Sequence, residues 1–330
     1  MKGCLIPILC CCFFLLVNKG LGQEVFRNQE LTIRTDNDVY TFRDSDKYYS
    51  NGLIMAYRWI PSGKPFLVPK TISDSTKVIM ETGLAHKFFT PKFLKNEAVE
   101  DFDRPYAGTI TAEYHVNYFK NEHLKWRYGL NLTLVGPATG AGDFQVWYHD
   151  LFNFPEPRGW DFQVPNELTV NLAGEFQRQV QLNPRSMDLM TTSSVMIGTG
   201  FTNLQQRANL RIGRLSTLNK SAYARSLIGG GTESVQKELF FFAGAGLEYV
   251  VQNITIQGSI WNDNAPHTEE ITPLVMHLRM GLVTSNAQST FRIVYHWLSS
   301  EVEAVGWHSY IGLELNLRFA SGKQKRKAAN

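Results

Sequence analysis

His149 follows Gln145 by four residues, and both come just after a glycine-rich stretch, Gly136-Pro137-Ala138-Thr139-Gly140-Ala141-Gly142. On a short helix that spacing puts the two side chains on one face. A neutral imidazole is the usual general base near neutral pH, and a carboxamide one turn away can orient an attacking water or a substrate. Hydrolysis is the chemistry such a pair would serve. Taken alone, the pair reads more plainly as a loop histidine capped by its neighbours, and the glycine stretch lacks any phosphate-loop pattern.

Asn37-Asp38 is a second cluster. A carboxylate and a carboxamide near backbone carbonyls are hard oxygen ligands suited to Ca²⁺. A turn that uses Asn and Asp for backbone bonding is the plainer alternative. Other polar clusters are Tyr48-Tyr49-Ser50-Asn51-Gly52, Phe88-Phe89-Thr90-Pro91 and Asp103-Arg104-Pro105-Tyr106-Ala107-Gly108. No Cys/His arrangement with zinc spacing exists beyond the N-terminal segment. No Gly-x-Ser-x-Gly elbow is present, so a serine nucleophile is not indicated.

These clusters are far apart in the chain, so something must bring them together. The recurring pattern is period-two alternation, the mark of strands with one apolar and one polar face. Leu53, Met55, Tyr57 and Trp59 alternate with Ile54, Ala56 and Arg58. Similar rows run from Ile110, Trp126, Leu274, Phe291 and Ile311, the last ending at Phe319. Their opposite faces carry Arg, Glu, His and Asn. That suits lipid outside and a polar lumen inside better than a soluble sandwich. Trp59, Trp126, Trp297 and Phe319 sit at strand ends, where interfacial girdles form.

The expected fold is therefore all-β: a transmembrane antiparallel barrel over residues 23–320, with short helical segments in its extracellular loops. About thirteen strand candidates begin near Leu31, Leu53, Val78, Thr109, Trp126, Leu168, Val195, Ala208, Leu239, Thr255, Leu274, Phe291 and Ile311. A single-chain bacterial barrel needs an even number. Assigning the short Thr255–Ile260 stretch to an outer loop leaves twelve. With a periplasmic N-terminus, odd strands end outside, and all the polar clusters above land on one outer rim.

The N-terminal segment reads as a signal peptide, residues 1–22. Lys2 precedes an apolar run from Leu5 to Val17, and Gly20-Leu21-Gly22 supplies small residues for cleavage. The run is too short for a spanning helix of ~20 residues. All 4 cysteines (Cys4, Cys10, Cys11, Cys12) lie there, so the exported chain cannot depend on disulfides. The net charge of +3 includes Lys2 and Lys19, which leave with the signal, and a near-neutral remainder argues against nucleic acid as a partner. Lys323, Lys325, Arg326 and Lys327 belong to a polar tail, residues 321–330, expected to be a solvated, disordered extension.

Taken together, these segments resemble the lipid A 3′-O-deacylase family, the LpxR-type outer-membrane barrels. The resemblance rests on Asn37-Asp38, Tyr48-Tyr49-Ser50-Asn51-Gly52, Asp103 to Gly108, and Gly136-Pro137 with Gln145 and His149. It implies a twelve-stranded barrel, monomeric, with a calcium-dependent esterase site between wall and outer loops. Lipid A of lipopolysaccharide in the outer leaflet would be the substrate. His149 matches the family's catalytic histidine and Gln145 its glutamine. Asn37 and Asp38 match the active-site pair, with Asp38 tied to the metal. Ser50 keeps a hydroxyl where the family carries threonine. Lys95 is the nearest match to the family's lysine, with Lys92 as the alternative. Arg104, Lys92 or Lys95 would clamp a phosphate on the substrate. Two rival readings stand beside this one: an outer-membrane phospholipase, and a non-catalytic barrel that is a small channel or an anchor.

Overall fold

The alternation becomes twelve strands in the computed structural model, which describes residues 27–42, 47–63, 68, 76–229, 237–303 and 305–320. They are β1 (Gln29–Asn37), β2 (Tyr48–Trp59), β3 (Lys77–Thr90), β4 (Ala107–Phe119), β5 (Leu124–Val135) and β6 (Glu167–Asn183). The second half holds β7 (Met187–Gly198), β8 (Phe201–Arg214), β9 (Glu238–Asn253), β10 (Leu274–Ser285), β11 (Ser289–Leu298) and β12 (His308–Phe319). Each pairs antiparallel with its sequence neighbours, and β1 closes on β12 from Gln29↔Phe319 to Asn37↔Ile311. Closure leaves no unpaired edge, which is what a wall in lipid requires. Both expected termini, residues 1–22 and 321–330, lie outside the described residues.

The two faces of each strand follow the sequence pattern. Leu53, Met55, Leu84, Tyr114, Leu132, Leu168, Leu282 and Leu317 are exposed on the outside. Inward residues pair with one another: Arg58 with Glu30 (3.1 Å) and Glu81 (2.5 Å), Arg318 with Glu30 (2.8 Å), and Arg127 with Glu81 (2.8 Å). The expected girdle appears as ring contacts near one end of the barrel, Tyr57 stacked with Trp59 and Phe319, and Trp126 tilted against Phe176.

Two strand starts differ from the sequence expectation. β7 and β8 begin at Met187 and Phe201, well before Val195 and Ala208. Their early residues, such as Thr191-Thr192-Ser193-Ser194, are small and polar, so alternation is faint there while the ladder continues. Thr255 is not in a strand. It lies in α2 (Ile254–Gln257), whose Asn253 cap accepts its backbone N–H, so the loop assignment that left twelve strands agrees with the structure.

The lumen is plugged, which the sequence did not announce. After β8, residues 215–229 fold back into the barrel. Leu218, Ala222, Tyr223, Leu227 and Ile228 bury against Ile79, Phe119, Phe240 and Phe242 from the wall. Arg225 of this segment grips Glu314 with two hydrogen bonds (3.1 and 2.6 Å), and Arg292 donates to the Ala222 carbonyl (2.7 Å). Buried apolar side chains and charge-assisted bonds together seat the segment as a plug.

Candidate active site

The helix called for by Gln145 and His149 is α1 (Ala141–Phe152). Pro137 opens a short 3-10 turn, and Gly140 at φ +66° makes the left-handed step into the helix that a side chain would resist. Asp143 sits in the first turn, where a carboxylate suits the helix dipole. Asn153, also left-handed, ends it, its N–H donating to Asp150 O (3.2 Å).

What α1 packs on decides the site. Gly108 of β4 lies on the row opposite the inward one, and a Cβ there would stand 2.3 Å from both Ala141 Cβ and Thr139 Oγ1. Phe88, on the outward row of β3 with His86 and Leu84, meets the Phe144 ring at 5.5 Å and the Trp160 ring at 6.5 Å. The helix therefore lies against the outside of the wall, not over the lumen. Its buried residues include Ala141, Gln145 and His149, one face as the spacing required.

Two neighbours fix the pair. Trp160 Nε1–H donates to Gln145 Oε1 (2.8 Å), and both are buried. His149 Nδ1 lies 2.5 Å from the Pro155 carbonyl, which can only accept. The proton therefore sits on Nδ1, and Nε2 is the basic nitrogen.

Asn37, Asp38 and Ser50 meet where β1 and β2 end. Asn37 Oδ1 accepts the Val39 N–H (2.7 Å), and Asp38 Oδ2 accepts the Lys47 N–H (2.8 Å). The Asx turn at Asn37 is thus real. A bulge shifts the β2–β3 register between Tyr49 and Asn51, with Ser50 as the extra residue. It turns Tyr49 inward, where its hydroxyl donates to Asp36 (2.9 Å). Ser50 is left beside Asp38, whose N–H reaches Ser50 O (3.4 Å). The Ser50 hydroxyl donates to Phe88 O (3.5 Å), so this corner and α1 share Phe88 as a common wall.

Three cationic residues stand differently from one another. Lys92 and Lys95 are exposed on the 91–106 segment, Lys92 Nζ lying 4.9 Å from the Phe93 ring centre. Arg104 does not fit a phosphate clamp. It is 1% exposed, stacked on Phe89, and its donors go to Glu301 (3.1 Å) and Thr255 Oγ1 (3.0 Å). It ties three loop segments together. Burial acts to raise the Glu301 carboxyl, and Arg104, with His308 and His277 beside it, outweighs that to hold it below the usual carboxylate range.

Residues the sequence did not single out complete the site: Trp160, the Pro155 carbonyl, and Gly108 as a contact surface. Trp160 reads as an ordinary loop aromatic, and a carbonyl has no residue type to read. Among the described residues, the one group of three possible metal ligands, Glu81, Glu113 and His115, lies in the lumen. Arg127 bonds all three, so they are a charge network away from α1.

Because Ala141 Cβ belongs to helix backbone that cannot swing away, Gly108→Leu should lift α1 off the wall. Overpacking costs about 1–3 kcal/mol, more than any single aromatic contact holding the helix. With His149 as the expected base, activity should fall by about 100-fold, as small misplacements of a catalytic group do. Heat-modifiable migration on gels should still report a folded barrel. Unchanged activity would show that α1 position is immaterial.

No curated protein matches this chain by sequence. Among solved structures it is similar to LpxR from Salmonella typhimurium, at 19% identity and a TM-score of 0.70, covering 88% of this chain and 100% of that one. It also aligns with the β domain of the Bordetella autotransporter BrkA at 8% identity, covering 88% of this chain and 99% of that one (TM-score 0.46). The family model described as outer membrane protein LpxR matches residues 8–319. Spanning nearly every residue of the barrel just described, that match means the chain belongs to the LpxR family of outer membrane proteins.

Proposed function

We propose that this protein is a calcium-dependent lipid A deacylase, removing the 3′-O-linked acyloxyacyl chain from lipopolysaccharide in the outer leaflet. One observation carries the reading above all. His149, its tautomer set by Pro155, is buried between a helix and the lipid-facing side of the wall. A site for a soluble substrate would open to the lumen or the solvent. A base on the lipid-facing side of the wall suits an acyl ester of a membrane lipid.

The residues support hydrolysis step by step. His149 Nε2 takes a proton from water as its oxygen attacks the ester carbonyl. The imidazolium returns that proton to the departing 3′ sugar oxygen as the C–O bond breaks, giving an acyloxyacyl acid and a free sugar hydroxyl. Gln145, held by Trp160 through its oxygen and one turn from His149, orients the water or the ester. Lys95 or Lys92, both exposed on the 91–106 segment, would meet a substrate phosphate.

Asp38 with Asn37, Ser50 and nearby carbonyls forms an oxygen-only donor set around a buried carboxylate, which fits Ca²⁺ rather than a softer ion. When bound there, the ion supplies positive charge for the developing oxyanion. The channel reading meets the lumen plug of residues 215–229.

Mass spectrometry of lipid A from cells expressing the chain tests the function. Loss of one acyloxyacyl unit is expected. Intact lipid A with lysophospholipid instead would favour a phospholipase, and neither change would sink both.

Orientation is tested separately. The protein beyond Cys12 has no cysteine, so single cysteines report without background. Glu97 and Glu156 form only an exposed pair with Arg158, worth little to stability. Cysteines there should react with an impermeant maleimide on intact cells, while one at Glu122, in the opposite turn, should react only after the outer membrane is breached. The reverse pattern would point the site at the periplasm, away from outer-leaflet lipid A.

A further inference from the structure

The α1 helix has three faces, and the catalytic role uses only one. At roughly 100° per residue, Ala141, Gln145 and His149 share the wall side. Asp143 and Asp150, seven residues apart and exposed, share a second side. A third side carries Phe144, Trp147 and Leu151, at i, i+3 and i+7, and they are 40%, 57% and 60% exposed. An apolar stripe of that size on a helix is costly in water and marks something that covers it.

Its place on the wall identifies what does. On the outward row of β3, Phe144 meets Phe88 and His86 (6.4 Å), and the next outward residue down is Leu84, 57% exposed. Leu84 belongs to the lipid-facing band. The stripe thus begins where the band ends, with no polar residue between them on that row other than His86, which Phe144 covers. Asp143 and Asp150 fall on the side turned from both wall and band.

We infer that α1 is an interfacial helix whose Phe144-Trp147-Leu151 stripe sits in the acyl layer of the leaflet, extending the lipid-facing surface of the barrel up to the cleft that holds His149. An amphipathic helix lying in the interface with its apolar face about 5–10 Å deep has this form. The consequence for the site is lateral access: an acyl chain slides from the bilayer along the stripe, and its ester reaches Nε2 without crossing water. That consequence rests on the deacylase reading, whereas the lipid contact rests on the geometry alone.

The test places nitroxide labels on Trp147→Cys, Leu151→Cys, Glu97→Cys and Glu156→Cys in the otherwise cysteine-free mature protein. The protein is folded into phosphatidylethanolamine/phosphatidylglycerol vesicles, and heat-modifiable migration confirms each variant. Labels at 147 and 151 should collide several-fold more with oxygen than with a water-soluble nickel chelate, and those at 97 and 156 the reverse. Equal, nickel-dominated access at all four positions would overturn the inference. In a second arm, the double variant Trp147→Gln/Leu151→Gln should lose at least about ten-fold activity on lipopolysaccharide in bilayers and keep its rate on a short-chain soluble ester. Equal loss on both substrates would overturn lateral access. Immersed labels in a protein that releases no acyl chain would refute the deacylase reading and leave the lipid contact standing.

Discussion

His149→Ala is expected to lower acyl release from lipid A by about 10²–10⁴-fold, the range a positioned general base contributes, with the barrel still folded and inserted. The reason is local. The imidazole is buried on α1, its Nδ1–H is committed to the Pro155 carbonyl, and Nε2 is the remaining basic atom. The twelve-stranded ladder does not depend on it, because α1 leans on the wall from outside. The drop should fall mainly on kcat, since proton removal belongs to the transition state and not to lipid binding. Trp160→Phe should give a smaller loss, as it frees the Gln145 oxygen while leaving the base. Heat-modifiable migration separates lost chemistry from lost folding. Near-normal turnover by a folded His149→Ala protein would refute the assignment of the base.

Chelation should be the second large effect. Activity is expected to fall to background in excess chelator and to return with Ca²⁺ more fully than with Mg²⁺, because a loop-built oxygen site adapts to the larger ion. Asp38→Ala should shift the Ca²⁺ requirement upward by at least about ten-fold, and Asp38→Asn by less, since the carboxamide keeps an oxygen donor and loses only the charge. Asp38 is buried beside Ser50 at the bulge, and its second oxygen is already held by the Lys47 N–H, so the side chain is oriented before any ion arrives. Ca²⁺ titration of acyl release in each variant is the measurement. Full activity of the parent protein in chelator would refute the metal reading.

The residues that the sequence alone brought forward share a property: their meaning is local. Gln145 and His149 declare themselves by spacing, because a helix turns every 3.6 residues wherever it lies. Leu53, Met55 and Tyr57 declare an outward face, because a strand alternates whatever it packs on. Twelve strands, a polar inside and a common rim for Asn37, Ser50 and His149 follow from these periods and from the parity that closure imposes.

The tertiary structure decided what depends on partners distant in the chain. That Arg104 is a buried strut and not a clamp required Glu301, almost 200 residues on (the pair is separated by 197 positions). That residues 215–229 fill the lumen required wall positions from β3 to β11, and no local period marks a segment that turns back inside. The side of the wall on which His149 sits was set by a missing side chain. Gly108 lets α1 approach the outer face to a distance no other residue allows, and a glycine in a strand pattern does not say what it makes room for. Period and spacing are properties of the chain near each residue. Depth, pairing and access belong to the closed barrel, because only closure brings the ends of β1 to β5 together and gives the wall an outside.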